Sequence, residues 1–147
     1  MPIMRKARHE DVDQLVTLLR LLFSIEEDFS FDEAKQRRGL VMLLHNDRGC
    51  ILVAEVIGRV IGMCTGQLVI STAEGGPAVV VEDMVVDPAH RRRGVGRSLM
   101  KAMAGWAAEQ GATRLQLLAD KNNPPALAFY ERIGWQATAL ICLRQYS

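Results

Sequence analysis

The decisive stretch of the sequence covers residues 79–106 and reads VVVEDMVVDPAHRRRGVGRSLMKAMAGW. It begins with a run of β-branched residues, which predicts a strand over residues 79–86. The strand should end before Pro88, because proline cannot donate to a sheet ladder and restricts the residue before it. From Arg97 onward the apolar residues recur at helical spacing, and Gly111 suits the end of a helix. The stretch therefore predicts a strand, a glycine-containing loop and a long helix.

The loop contains Gly94 and Gly96 among four arginines. A phosphate binds well at a helix N-terminus, because the first backbone N–H groups have no partner within the helix and the helix dipole adds about half a positive charge. Glycines let the backbone approach the ligand, and guanidinium groups contact phosphate from the rim. The pattern favours a phosphate-binding loop over residues 91–97, although a connecting turn with solvated arginines fits the same residues.

The rest of the chain alternates between strand and helix patterns. Strands are predicted over residues 4–8, 50–56, 60–70 and 113–119, with terminal strand material over residues 135–145. The two central runs should pair as an antiparallel hairpin through a turn at Gly58. Helices are predicted behind Asp11, from a Ser30–Glu33 capping box to Leu44, and over residues 126–133 behind Asn123. This order indicates the mixed α/β class and a single domain.

Composition restricts the possible partners. Lys and Arg total 18 and Asp and Glu total 17, so the formal net charge of +1 gives no overall field for holding nucleic acid or an anionic membrane. The apolar runs are far shorter than the ~20 residues that a membrane span needs. The cysteines and histidines lack metal-ligand spacing, so we predict no metal. With no recognisable signal sequence, we expect a cytoplasmic protein with reduced thiols.

Two motifs together resemble the GNAT superfamily of N-acetyltransferases. The first follows (Gln or Arg)-x-x-Gly-x-(Gly or Ala) and is matched by Arg91, Gly94 and Gly96. The second is a run of Asn, Ala, Phe-Tyr and Gly-aromatic, which stands here as NPPALAFYERIGW over residues 123–135. Two ordered motifs at the expected separation are more specific than either one. The order of the predicted elements also looks like that family over nearly the whole chain.

The resemblance implies both a fold and a cofactor. The fold is one GNAT-like domain over residues 1–147, with a central, twisted, mixed but mostly antiparallel sheet of six to seven strands flanked by about four helices. The cofactor is acetyl-CoA, with its pyrophosphate on the backbone N–H groups of the loop and its pantetheine arm along the preceding strand like an added strand. The residues implied to contact it are Met84, Val85, Val86, Arg91, Arg92, Arg93, Gly94, Val95, Gly96, Arg97, Asn123, Ala126 and Tyr130.

Two of these residues have a structural interpretation as well. Asn123 matches a position that can touch the cofactor, and it also suits the N-cap of the helix that starts at Pro124. Tyr130 matches the position usually near the thioester sulfur, where its hydroxyl can donate a hydrogen bond to the departing thiolate. Packing beside Phe129 is the alternative for Tyr130.

The acceptor amine requires a base, because an alkylammonium with a pKa near ~10.4 has no lone pair at neutral pH. Glu82 and Asp83 lie just before the expected thioester position. Side chains alternate along a strand, so only one of them can face the acceptor unless a bulge is present. We favour Glu82 as the base, with Asp83 second. A solvated carboxylate and a sheet-edge cap are the structural alternatives.

The segment between the first two helices, residues 24–31, reads SIEEDFSF. In the family that the chain resembles, this loop usually forms part of the acceptor wall, which would make Glu26, Glu27 and Phe29 acceptor-binding residues. Acidic and aromatic side chains together suit a cationic amine with a hydrocarbon body. An ordinary solvated loop has the same composition.

These observations favour transfer of an acetyl group from acetyl-CoA to a primary amine by direct attack in a ternary complex. The acceptor would be a small cationic amine or a protein amino group. The alternative is a non-catalytic acyl-CoA-binding regulatory module. Nucleic-acid binding through the arginines is disfavoured by the near-neutral charge. Residues 137–143 could join a partner's sheet, so a homodimer is possible.

Overall fold

The computed structural model describes residues 1–26 and 28–147. Chain contacts divide them into two compact units, Met1–Leu117 and Leu118–Ser147. Within the described residues the elements in chain order are β1 (Ile3–Lys6), α1 (Val12–Ile25), α2 (Glu33–Leu44), β2 (Gly49–Val56), β3 (Arg59–Ser71), β4 (Gly76–Val86), α3 (Val95–Glu109), β5 (Leu115–Leu117) and α4 (Pro124–Arg132).

The first unit contains one mixed sheet with the strand order β1-β2-β3-β4-β5. The first three pairs are antiparallel and the β4–β5 pair is parallel, which confirms the predicted mixed, mostly antiparallel class. The predicted hairpin is formed by β2 and β3, and its two-residue turn, Ile57-Gly58, has positive φ at both positions. That conformation fits the right-handed twist of the flanking strands.

The sheet has five strands among the described residues, so the prediction of six to seven was wrong. Residues 135–145, predicted as terminal strand material, form no strand. Their apolar composition suits a strand, but a strand also requires a neighbour that supplies its hydrogen bonds, and composition does not provide one. The strand predicted over residues 113–119 is likewise shorter, because its ladder with β4 covers only Leu115–Leu117.

Helices cover both faces of this sheet. On one face, Met63 of β3 is fully buried in a cluster with Leu15 and Leu19 of α1. The neighbouring Gly62 points the other way, since a Cβ added there would lie 3.1 Å from Leu99 Cδ1 of α3. Because side chains alternate along a strand, Met63, Thr65 and Gln67 share the α1 face. The α1–α2 side of the sheet is therefore separate from the α3 side.

A charged cluster holds the start of α1 to the sheet. The Asp11 carboxylate is buried and accepts hydrogen bonds from the Arg5 guanidinium at 2.8 and 3.0 Å and from the backbone N–H of Arg8 at 2.7 Å. Arg5 also donates to Glu55 on β2 at 2.8 Å. The expected side-chain N-cap at Asp11 is not formed, because the carboxylate is engaged by these donors instead.

The start of α2 differs from its prediction in one respect. Asp32, rather than Ser30, occupies the N-cap, and its carboxylate accepts from the backbone N–H of Lys35 at 3.3 Å. Gln36 completes the arrangement, because its side-chain oxygen accepts from the backbone N–H of Asp32. The Ser30–Glu33 spacing was a correct signal for a helix start two residues too early, since an aspartate caps as well as a serine.

The second unit contains α4, which starts behind the predicted N-cap Asn123 and spans Pro124–Arg132, where residues 126–133 were predicted. The Asn123 side chain accepts from the backbone N–H of Ala126 at 3.3 Å, and Pro124 follows as the first helical residue. Gly134 ends the helix at a φ of 98°. The Tyr130 ring contacts both Phe129 and Trp135, with ring-centroid distances of 5.2 and 6.0 Å. In the part of the chain that the structure describes, no helix combines the length and apolar character needed to cross a bilayer.

Candidate active site

The glycine loop joins β4 to α3 through two residues with positive φ. Arg92 and Gly94 both adopt left-handed conformations, with φ of 63° and 79°, and α3 begins immediately afterwards at Val95. Val95 is buried and fixes the helix start to the core. No side chain of the described residues caps this helix N-terminus. The first N–H groups of α3 are therefore available to an anionic ligand.

The arginines around the loop are exposed, and one of them has a structural bond. Arg91 Nε donates to the carbonyl oxygen of Val86, the last residue of β4, at 3.1 Å. Asp87 fixes the intervening turn, because its carboxylate accepts from the backbone N–H of Ala89 at 2.9 Å. Arg91 thus helps to hold the loop against the end of the strand.

Beyond its ladder with β5, the outer edge of β4 has no strand partner among the described residues. β5 pairs with Val79, Val80 and Val81 only. Met84–Val86 pair with β3 on their other side. Apart from the Val86 carbonyl, which accepts from Arg91, their backbone groups facing away from β3 have no ladder partner among the described residues, and an extended ligand can add to such an edge.

A β-bulge interrupts the β3–β4 ladder beside this edge. Val81 pairs with Gly66 and Met84 pairs with Cys64, so Glu82 and Asp83 together oppose Thr65. Two residues opposite one define a bulge, which bends the strand and re-aims its side chains. Because of this bulge, Glu82 and Asp83 can both face the same side of the sheet.

Both carboxylates line a pocket of about 380 Å³ in the first unit. The sheet side of the pocket also includes Gln67, and α1 contributes Leu19 and Phe23. The α2 side presents one helix face: Lys35, Gln36, Gly39, Leu40, Met42 and Leu43. The volume is in the usual range for small-molecule sites, about 300–1,000 Å³. The pocket thus combines an apolar floor, amide groups, two carboxylates and an ammonium.

The two carboxylates differ in environment. Glu82 is exposed, whereas Asp83 is half-buried and accepts a hydrogen bond from Thr65 Oγ1 at 2.9 Å. Burial raises the pKa of Asp83 from its ordinary 3.8 to about 6, with a further contribution from the negative charge of Glu82, while the Thr65 hydroxyl opposes the shift. A carboxylate with a raised pKa is a stronger base at neutral pH. Asp83 is therefore the better placed of the two to accept a proton.

The acidic loop lies near this pocket only in part. Glu26 ends α1, where its N–H donates to the Leu22 carbonyl at 3.1 Å. Phe29 packs against Phe23 with a ring-centroid distance of 5.6 Å, and it is Phe23 that lines the pocket. Glu27 lies outside the described residues. The acceptor-binding roles of Glu26, Glu27 and Phe29 remain predictions.

The buried cysteines offer no nucleophile. Burial raises the pKa of the Cys50 thiol to about 11 and that of Cys64 to about 12, so both stay protonated at neutral pH. No group of three potential metal ligands occurs in residues 1–26 and 28–147.

The model of the Acetyltransferase (GNAT) family matches residues 12–135 of the chain. The chain belongs to the GNAT family. The match includes α1, the acidic loop, the bulge, the glycine loop and the Asn123–Trp135 motif. The resemblance suggested by two short motifs is thereby confirmed over most of the chain.

Three known proteins illustrate the similarity. Streptothricin acetyltransferase of Streptomyces lavendulae is 36% identical over 50% of this chain and 39% of its own length. L-2,4-diaminobutyric acid acetyltransferase of Nocardia farcinica is 32% identical over 58% of this chain and 43% of its own. The solved structure of an aminoglycoside N-acetyltransferase in complex with CoA is 17% identical, covers 99% of this chain and 95% of its own, and superposes with a TM-score of 0.86. That likeness concerns the fold.

The chain spans less than half the length of these two curated relatives. It spans 39% of the streptothricin enzyme and 43% of the diaminobutyric acid enzyme. The similarity therefore supports the family and the fold.

The sequence did not single out Lys35 and Gly39, which line the pocket, or Thr65, which donates a hydrogen bond to Asp83. A glycine inside a helical pattern and a threonine inside an otherwise apolar strand were the available signals. The proximity of α2 to the bulge, which gives these residues their meaning, is a tertiary fact.

Proposed function

We propose that this GNAT protein transfers an acetyl group from acetyl-CoA to a primary amine by direct attack in a ternary complex. The observation that supports this best is the continuity of three features in the first unit. The uncapped start of α3 suits a pyrophosphate. The edge of β4 at Met84–Val86, which has no strand partner on the outer side among the described residues, suits an extended pantetheine arm, and the bulge with Asp83 lies directly before it in the chain.

The proposed donor contacts are those that the family motif assigns. Backbone N–H groups from Arg92 to Arg97 bind the pyrophosphate, and the main chain of Met84, Val85 and Val86 contacts the pantetheine. The exposed guanidinium groups of Arg92, Arg93 and Arg97 reinforce the phosphate contacts from the rim. A CoA-bound relative of the same fold supports CoA as the carrier.

The structure leads us to prefer Asp83 over Glu82 as the base. An ordinary carboxylate with a pKa near 3.8 holds a proton weakly, whereas the folded environment raises the pKa of Asp83 to about 6. This difference of about 2 units reduces the cost of taking a proton from an ammonium by about 3 kcal/mol. Glu82 then acts mainly by its negative charge, which attracts the cationic acceptor and contributes to the raised pKa of Asp83.

The amine nitrogen, once deprotonated, attacks the thioester carbonyl, and the C–S bond breaks to release CoA thiolate. The family motif gives Tyr130 the role of donating a hydrogen bond to that thiolate, and we retain this role as a proposal. Asn123 caps α4 in the structure, which is compatible with a cofactor contact from the same motif. The high pKa values of Cys50 and Cys64 disfavour a covalent acyl intermediate on either of these buried thiols.

The experiment that tests the function is a screen of primary amines for release of free thiol from acetyl-CoA. The panel contains diamines, free amino acids, aminoglycosides and a lysine-containing peptide, with mass spectrometry to identify the acetylated product. Thiol release that depends on one class of amine supports the proposal. CoA binding without thiol release for any amine would favour the alternative of a regulatory acyl-CoA-binding module.

A matched pair of variants ties the activity to the loop. Gly94→Glu places a carboxylate at the start of α3 and should abolish CoA binding. Gly75→Glu is the control, because Gly75 has a similar φ of 71° and open surroundings but lies in the turn before β4. Equal loss of CoA binding in both variants would contradict the assignment of the phosphate site.

A further inference from the structure

The pocket next to α2 carries opposite charges on its two sides. The sheet side holds the carboxylates of Glu82 and Asp83, and the helix side holds Lys35. Lys35 lies in the first turn of α2 with an exposed side chain, and the ion pairs of the described residues do not include it. A pocket with this distribution of charge suits a ligand that itself carries both signs.

A glycine opens the helix side of the pocket one turn after Lys35. Gly39 lines the pocket, and a Cβ added there would meet no atom within 4 Å. Glycine destabilises a helix interior relative to alanine, and neither close packing nor a positive φ requires it here. Gly39 therefore widens the pocket at a position where the fold itself gains nothing from glycine.

We propose that the acceptor is a free amino acid or a close analogue, in which a hydrocarbon chain separates the reacting amine from a carboxylate. The amine lies at Asp83, the hydrocarbon body passes over Gly39, and the carboxylate pairs with Lys35. One ammonium matches one negative charge, so a carboxylate fits better than a dianionic phosphate in a pocket that already holds two carboxylates. This inference rests on the proposed function, because it names the acceptor of that same site.

The test compares acceptors that differ only in the carboxylate. Free lysine is paired with cadaverine and free ornithine with putrescine, since each diamine is the decarboxylated form of its amino acid. The methyl esters of the two amino acids retain the bulk and remove the negative charge. We expect kcat/KM to be at least about fivefold higher for the amino acids than for the diamines and the methyl esters, because only the amino acids can form a charge-assisted hydrogen bond between a carboxylate and Lys35.

Variants at Lys35 identify the residue responsible. Lys35→Gln should bring the amino acids and the diamines to similar kcat/KM, and Lys35→Glu should invert the preference in favour of the diamines. Lys101→Glu is the control, because Lys101 is exposed on α3 and outside the pocket. It makes the same change in net charge and should leave the preference unaltered.

Gly39→Leu tests the passage of the hydrocarbon body. Leucine is a good helix former, so α2 should be retained, while its side chain enters the open space of the pocket. We expect KM for the amino acids to rise at least about tenfold, because the leucine side chain would occupy the space of the acceptor's hydrocarbon body. CoA affinity should be unchanged. Gly105→Leu, a matched change at an open helical glycine of α3, should leave KM unaltered.

The outcomes separate the two proposals. Acetylation of the diamines as efficiently as of the amino acids, or an unchanged preference in Lys35→Glu, would overturn the inference and leave the acetyltransferase proposal standing. Absence of thiol release with every amine, while CoA still binds, would overturn the acetyltransferase proposal and the inference together.

Discussion

Thr65 and Asp83 exchange two hydrogen bonds across the bulge between β3 and β4. The Thr65 hydroxyl donates to Asp83 Oδ2 at 2.9 Å, and the backbone N–H of Asp83 donates to Thr65 Oγ1 at 3.0 Å. Thr65 is 1% exposed, so its rotamer is fixed by the core. One hydroxyl thus satisfies the backbone group that the bulge frees from the ladder and orients the carboxylate that we propose as the base.

The first prediction concerns this pair. In the wild type, the hydrogen bond from the Thr65 hydroxyl lowers the pKa of Asp83. Thr65→Val removes this hydroxyl and keeps a β-branched side chain of similar size, so the pKa of Asp83 should rise. The acidic limb of the pH profile of kcat/KM should therefore move to higher pH. Other charged groups of the same pocket, Glu82 and Lys35, are unchanged in the variant. Steady-state rates between pH 5 and 9 measure the shift.

Thr65→Ser serves as the control for Thr65→Val, because it keeps the hydroxyl. It should retain the wild-type pH profile even if it lowers the thermal midpoint through the lost methyl group. A profile that is the same in wild type, Thr65→Val and Thr65→Ser would show that Asp83 is not the group that titrates in catalysis.

The second prediction is that Asp83 is costly for stability at neutral pH. Its raised pKa means that the folded state binds a proton more readily than the unfolded state does. The proton bound to Asp83 therefore stabilises the folded state fully below the unfolded pKa of 3.8, and this stabilisation is lost as the pH rises through about 6. Asp83→Asn should therefore raise the free energy of unfolding at pH 7.5 by about 1–2 kcal/mol and lower kcat at least about 100-fold.

Urea unfolding at pH 7.5 and pH 4 checks the stability half of this prediction. The gain in Asp83→Asn should shrink at the lower pH, because the wild-type carboxyl is then largely protonated. Glu82→Gln is the comparison, since Glu82 is exposed and its own removal should change stability little. If Asp83→Asn is less stable than wild type at pH 7.5, burial of the charged carboxylate is not the dominant effect.

The third prediction separates two glycines of the loop and helix. Gly94 has a φ of 79°, so an alanine there is strained, and Gly94→Ala should destabilise the protein by about 1 kcal/mol and weaken CoA binding. Gly105 lies inside α3 with open surroundings, so Gly105→Ala should stabilise by up to about 1 kcal/mol. Urea unfolding and CoA titration measure both. Equal effects of the two substitutions would contradict a special loop conformation.

The fourth prediction concerns the cluster around Asp11. The Arg5 guanidinium holds the pKa of the buried Asp11 carboxyl below its ordinary value, against the opposing effect of burial. Its stabilising contribution is present above the unfolded pKa of 3.8 and is lost as the pH falls through the lowered folded pKa. Asp11→Asn should therefore cost about 2 kcal/mol at pH 7, because the buried carboxylate's charge-assisted hydrogen bonds are lost while Arg5 keeps Glu55 as a partner.

Asp13→Asn is the matched control for Asp11→Asn. Asp13 pairs with Arg37 at 2.7 Å, but its side chain is 86% exposed, so its removal should cost less than about 1 kcal/mol. Urea unfolding at pH 7 provides the comparison. Similar losses in both variants would mean that burial of the Asp11 pair contributes nothing of its own.

Much of the fold could be predicted, because the signals were local. The hairpin of β2 and β3 follows from β-branched runs around Gly58, and α3 follows from an apolar stripe that ends before Gly111, whose φ is 78°. The missing terminal strand could not be predicted, since residues 135–145 have a suitable composition but pairing depends on a neighbour that composition does not specify.

The pocket was less visible in the sequence than the glycine loop. The glycine loop is contiguous in the sequence, so its motif was visible without a structure. The pocket is assembled from α2 and the bulge, and the value of Lys35 or Gly39 appears only when those elements come together. The order of preference between Glu82 and Asp83 also depends on burial, which the letters of an acidic dipeptide do not reveal.

The bulge in β4 separates what the chain needs for folding from what it needs for chemistry. Val81 and Met84 keep regular partners on either side of the bulge, so the pair Glu82-Asp83 contains one residue more than the ladder with β3 requires. The surplus residue makes the dipeptide a local insertion in an otherwise continuous sheet. Substitutions there can therefore change the proposed acceptor site while the registers of β3 and β4 stay as they are.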